Sequence, residues 1–322
     1  RPGPDRVAFQ GTAKTLSAGL VALLLTGCDA YVGTQGNTGP ATETASQRPA
    51  PPDLSPESEA LRRHYQRIQN NLVAQGLLRT DGGGPETQFT DTILARNFVR
   101  IALFNEYIDT GSELRAQANV SRLRRWETPV RLTVEFGKTI PPAQREADRD
   151  AVSDYVARLS EVSGLDISVT GQNPNFHVLF LNEDDRAGLP VRLRRLLPGI
   201  TDSTMRAVTD LPRETFCLVL ASSAPDGPGY GRAVALIRGE HPDLMRLACI
   251  HEEIAQGLGL ANDSPQARPS IFNDDDEFAL LTRHDEILLE LLYDPALRPG
   301  MTPDEARPIL RRLLDRRGGG PA

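Results

Sequence analysis

The chain has 322 residues, a formal net charge of −7 and a hydrophobic fraction of 39%. An acidic balance of that kind argues against a nucleic-acid partner, because a phosphate backbone demands a basic footprint. With an N-terminal leader and tether set aside, roughly 270 residues remain, enough for one large domain or one domain with an appendage.

Lys14 precedes an apolar run from Leu16 to Leu25, which ends in Leu25-Thr26-Gly27-Cys28. A charged start, a short apolar stretch and small residues at its end are the plan of a secretory signal. The run is too short to cross a bilayer, which takes about 20 residues. A cysteine directly after Leu-Thr-Gly resembles the bacterial lipobox. The resemblance implies a lipoprotein signal peptide over 1–28, with Cys28 acylated and anchoring the mature protein in a membrane. The alternative is an ordinary signal peptide with a chance cysteine. Asp29, by resemblance to enterobacterial sorting, favours the inner membrane, so the expected location is a Gram-negative envelope, facing the periplasm. Residues 29–53 are rich in Gly, Thr, Ser, Gln and Pro and read as a flexible tether.

Ser55-Pro56 starts a helix with Leu61, Tyr65, Ile68 and Leu72 on one face. Asp81-Gly82-Gly83-Gly84-Pro85 interrupts the pattern, and Thr90 or Asp91 opens a second helix with Leu94, Phe98 and Ile101 aligned. The stretch 54–122 is expected to be a helical N-terminal arm. Arg122, Arg124 and Arg125 read as a charged helix end, or as a contact for anionic headgroups. From Pro129 the period changes to two, with Val130, Leu132, Val134 and Phe136 on one face of a strand. Pro141-Pro142 opens a long helix carrying Val152, Tyr155, Val156, Leu159 and Val162, which Gly164 ends. Strands are expected at Asp166–Val169, Phe176–Leu181, Phe216–Ala221 and Arg232–Ile237. Thr302-Pro303-Asp304-Glu305 is a capping box for a last helix, and 316–322 is expected to be a disordered tail.

Between the last strand and that helix lies HEEIAQGLGLAND, His251 to Asp263. Pro242 suits a first helical position. Leu244, Leu247, His251, Ile254 and Leu258 form one helical stripe, with Met245, Cys249, Glu252 and Gln256 beside it. His251 therefore reads first as a core histidine. Cys217, in a strand, and Cys249, in this helix, are either two buried thiols or a disulfide stapling sheet to helix. Adjacent carboxylates on a helix point about 100° apart, so Glu252 and Glu253 are not a shared-proton dyad by geometry alone. A hydrogen-bonded polar cluster of Glu252, Glu253 and Gln256 is the plain structural alternative. The acidic run Asn273 to Glu277 lacks the spacing of a calcium loop and reads as a solvated turn.

The short zinc motif H-E-x-x-H fails here, because Ala255 stands at the second histidine. Shifted by one residue, Glu252, Glu253, Gln256, Gly259 and Asn262 fall on the long metzincin motif as ligand, base, ligand, turn glycine and ligand. Further on, Ser270-Ile271-Phe272, Leu281-Thr282-Arg283-His284-Asp285 and Leu291-Leu292-Tyr293 follow in an order that resembles matrixin-type metzincins, without the expected methionine. The resemblance implies an α+β, zincin-like domain over 126–315: a mixed sheet with a long helix, an active-site-type helix and the helical arm before it. Glu253 would be the catalytic candidate and Glu252, Gln256, Asn262 and Asp263 the cleft, with His251, His284 and Asp285 as secondary candidates. Trp126 to Met301 also resembles an uncharacterised domain-of-unknown-function family of proteobacterial lipoproteins, carried by HEEIAQGLGLAND, PSIFNDDDEF, LTRHDEILLELLYDP and LRPGM. Zinc is not expected to bind tightly, because amide oxygens are weak donors to it; they suit Ca²⁺ better, which wants six to eight oxygens. The first expectation is an anchored envelope protein with a degenerate zinc site that binds a peptide or protein. The alternatives are an active metallopeptidase using Glu253 as base, and a purely structural lipoprotein.

Overall fold

The computed structural model describes residues 53–110, 113–273 and 275–318. The signal segment, Cys28, Asp29 and the tether as far as residue 52 lie outside the described residues. So do residues 319–322 of the tail.

A five-stranded mixed sheet organises an α+β fold. Its strands are β3 (Val130–Phe136), β4 (Ile167–Val169), β5 (Phe176–Leu181), β6 (Cys217–Ser223) and β7 (Tyr230–Arg238), in the spatial order β4-β3-β5-β7-β6. The first four run parallel, while β6 pairs antiparallel with β7 and forms one edge. Every residue of β5 is buried, as expected for a parallel strand covered on both faces. On one face, Phe176, Val178 and Phe180 pack with Tyr155 and Leu159 of α3 (Pro142–Ser163) and with Cys249, Ile254 and Leu258 of α6 (Asp243–Leu258). On the other, Leu179, Leu181, Val234 and Leu236 meet Leu189 and Leu193 of α4 (Leu189–Leu196) and Met205 and Val208 of α5 (Asp202–Thr209). Helices of eight residues leave too short a periodic pattern to read from sequence, and neither α4 nor α5 was expected.

The N-terminal region is not all helical. After α1 (Pro56–Ala74) and α2 (Asp91–Ala102), strands β1 (Phe104–Asp109) and β2 (Leu114–Val120) form an antiparallel hairpin. Its register shifts between Asn105 and Tyr107, which breaks the period-two alternation that would announce a strand. Arg122, Arg124 and Arg125 follow in a loop rather than at a helix end. Arg125 donates to the carbonyls of Leu292 and Asp294, at 2.7 and 3.0 Å.

The first helix docks on the start of α6. Tyr65 is fully buried, packs edge-on to Phe216 and donates to the Arg213 carbonyl at 3.0 Å. Ser58 Oγ donates to Glu240 Oε1 at 3.0 Å, and the Met245 N–H donates to Gln69 Oε1 at 3.1 Å. Pro242 is the N-cap of α6, one position earlier than its fixed φ suggested. The chain closes with α7 (Arg283–Leu292) and α8 (Pro303–Arg317), each opened by a threonine capping box.

Candidate functional site

Close packing fixes α6 against the sheet. A Cβ on Gly257 would lie 2.4 Å from Phe176 Cζ and 3.3 Å from a Val219 methyl, so only glycine lets the helix come this near. Gly259 ends the helix at φ +125°, where a Cβ would lie 2.3 Å from the Arg124 carbonyl oxygen. The last-turn carbonyls of α6 are capped from outside: Trp126 Nε1 donates to Gly257 O (2.9 Å) and the Tyr293 hydroxyl to Leu258 O (2.8 Å). Cys217 and Cys249 are bonded, with their Cα atoms 5.9 Å apart, so the edge strand β6 is covalently tied to α6.

Beside that disulfide lies a pocket of about 300 Å³. Glu252, Glu253 and Gln256 of α6 line it, with Asp263 just beyond the helix. Glu106 and Tyr107 enter from the hairpin, Ile271, Asn273 and Asp276 from the loop before α7, and Glu214 to Leu218 from the start of β6. One carboxylate oxygen of Glu252, one of Glu253 and the sulfur of Cys217 lie within 4.8 Å of one another. Gln256 Nε2 donates to Asp263 Oδ1 at 2.9 Å.

The electrostatics of this pocket are one-sided. Burial, reinforced by Asp263, Glu253, Glu106 and Asp276, pushes the Glu252 carboxyl well above the ordinary range, although part of its surface faces the pocket. Burial also raises Glu253 well above that range, with Glu106 and Asp263 adding to it. Glu253 is 3% exposed, and its Oε2 has no hydrogen-bond partner. The Tyr107 hydroxyl is raised too, by burial first and then by Glu106.

Other candidates fall elsewhere. His251 is in the core: its Nδ1 accepts from the Leu281 N–H at 3.1 Å, and its ring stacks on Tyr155 with centroids 3.9 Å apart. Burial, with a smaller effect from Arg158, pushes its pKa down to about 3. His284 is fully buried, with Nε2 3.0 Å from Asn97 Nδ2. Asp285 is fully buried and accepts from Ser270 Oγ (2.5 Å), Ile271 N (3.0 Å), Thr282 N (3.0 Å) and Thr282 Oγ1 (2.8 Å). It fastens the Ser270 turn to the start of α7; neither it nor His284 lines the pocket. Asn262 also turns away, donating to the carbonyls of Arg100 (2.8 Å) and Asp263 (2.7 Å). The next residue, Asp263, takes the place beside Gln256 because the chain leaves Gly259 in a turn and not in a helix. Nor is the acidic run simply a solvated turn: Asn273 and Asp276 line the pocket, and Glu277 pairs with Arg79 and Arg268.

The pocket's charged donors are carboxylates. Neither His251 nor His284 reaches the pocket, and Cys217 carries a disulfide sulfur in place of a thiolate.

Residues 91–312 match a family model described as a protein of unknown function, DUF2927. The chain belongs to the DUF2927 family. No curated protein and no solved structure matches it. The DUF2927 region begins at Asp91 and not near Trp126, so α2 and the β1–β2 hairpin are part of the domain that carries the pocket. Nothing in FNEYID signals proximity to α6, so sequence pattern alone does not assign Glu106 and Tyr107 to the site.

Proposed function

We propose that this protein is a lipid-anchored envelope protein, held by Cys28 and facing the periplasm, whose domain is a divergent relative of zinc metallopeptidases that binds an extended peptide without hydrolysing it. The observation that carries the peptide reading is the outer edge of β6. Among the described residues β7 is its only ladder partner. The acidic pocket borders Cys217 and Leu218, and a second cavity of about 450 Å³ borders Val219 to Ser222. Glu106, Tyr107 and Gln256 line both. An exposed sheet edge is a template for an added strand, whose backbone supplies affinity while flanking pockets read alternate side chains.

Element order supports the kinship: strand β3, long helix α3, further strands, then α6 with Glu253 and the turn glycine Gly259. The turn at Ser270 places Ile271 against the pocket, and α7 ends at Leu292, beside Tyr293. Donor chemistry supports binding over hydrolysis, since Glu252, Gln256 and Asn262 stand at the imidazole positions and Asn262 faces away. A second reading is a peptidase with Glu253 as general base. Its support is the buried, raised carboxyl, since a base works best when its pKa nears the working pH.

A peptide library screened by fluorescence polarisation against the full chain in detergent micelles tests the proposal, with mass spectrometry of the peptides afterwards. Binding weakened by Glu252→Ala, with peptides intact, is expected. Cleavage lost in Glu253→Gln would establish the second reading instead. Identical binding by wild type and Glu252→Ala would remove the pocket from the account.

A further inference from the structure

We propose that the acidic pocket binds a hard divalent cation, Ca²⁺, through oxygen ligands alone. The inference concerns the same pocket as the peptide reading but does not need a peptide to bind.

Two buried oxygens call for a ligand. Glu253 Oε2 has no hydrogen-bond partner, and neither does Asn273 Oδ1 on a side chain 7% exposed; both residues line this pocket. Asn273 Nδ2 donates to Asp275 Oδ2 at 2.9 Å. A carboxylate only accepts, so the amide is oriented with its oxygen on the other side. Buried acceptors without a donor are costly, and a cation in this pocket is a ligand that acceptors of this kind can take.

The surrounding donors suit calcium. Glu106, Glu252, Glu253, Asp263 and Asp276 bring carboxylates from the hairpin, from α6 and the turn after it, and from the loop before α7. Calcium takes about 6–8 oxygens at roughly 2.3–2.6 Å, so one ion can bridge two oxygens up to about 5 Å apart. The Glu252 and Glu253 oxygens, within 4.8 Å of each other, meet that condition. Soft or borderline ions prefer thiolate and imidazole, which this pocket does not offer. Magnesium demands a tight octahedron and keeps its waters, a poor match for many carboxylates. A bound cation would also offset the mutual repulsion of the acids and tie the hairpin and the loop to α6.

Terbium luminescence on the full chain in detergent micelles tests this, because Tb³⁺ prefers the same hard donors and Tyr107 stands ready to sensitise it. Saturable emission at one equivalent, displaced by Ca²⁺ and not by Zn²⁺, is expected. Glu253→Gln should weaken Tb³⁺ and Ca²⁺ by at least the roughly 10–100-fold that even an outer-shell change costs. Glu106→Gln, a substitution on the hairpin, should do the same and decides the matter if the first variant does not fold. No saturable emission, displacement by Zn²⁺ as readily as by Ca²⁺, or unchanged affinity in a folded variant would overturn the proposal. Since the ion is measured without peptide, its failure leaves the peptide reading standing, and the reverse also holds.

Discussion

Glu253→Gln should change how stability depends on pH. In the folded protein Glu253 holds its proton well above the ordinary 4.5, because burial and the charges of Glu106 and Asp263 oppose ionisation. The unfolded chain releases that proton near pH 4.5. Above that pH the native state binds more protons than the unfolded state, so stability falls as pH rises, until the folded carboxyl ionises. Each unit of that window costs about 1.4 kcal/mol per retained proton. Glutamine keeps the shape and removes the titration. Urea melts in chelator at about pH 5 and pH 6 should therefore show wild type losing up to about 1.2 kcal/mol more than the variant over that step. The variant should also be the more stable protein at neutral pH. Parallel curves would refute the reasoning, since they would mean that Glu253 ionises as freely when folded as when unfolded.

At the acid end, His251 should act in the opposite sense. Its folded pKa of about 3 lies below the ordinary 6.5, so its contribution is present above pH 6.5 and lost as pH falls toward 3. Between about pH 7 and about pH 5 wild type should lose roughly 2 kcal/mol more than His251→Asn, read by urea melts at those two pH values. Reducing the Cys217–Cys249 bond, which spans 32 residues, should lower stability by up to about 4 kcal/mol from loop entropy, measured by denaturation with and without dithiothreitol. Asp285→Ala strands several buried donors at once, and a loss of at least about 3 kcal/mol is expected in chemical denaturation.

Local signals were legible where one chain segment contains its own explanation. The alternation Val130 to Phe136 returned as β3, the proline-led helix as α3 with Gly164 at its left-handed end, and Thr302 as the cap of α8. His251 on an apolar stripe proved to be a core residue for the reason the stripe suggested. The cysteines stayed ambiguous, because a bond needs two Cα atoms 5.9 Å apart, which spacing along the chain does not determine. The register shift hides the alternation of the hairpin, and α4 and α5 are too brief to show a helical period.

The residue types of HEEIAQGLGLAND determined a helix, its glycine end and a pair of adjacent acids, since those depend on neighbours three or four positions away. Which acids share a pocket was a matter of tertiary structure alone. Glu106 and Asp276 reach it because the hairpin and the loop before α7 fold over α6, while Asn262, in register on paper, is drawn off by the Arg100 carbonyl. A motif fixes angles around one axis; a binding site is a meeting of several chain segments, and packing sets the distances between them.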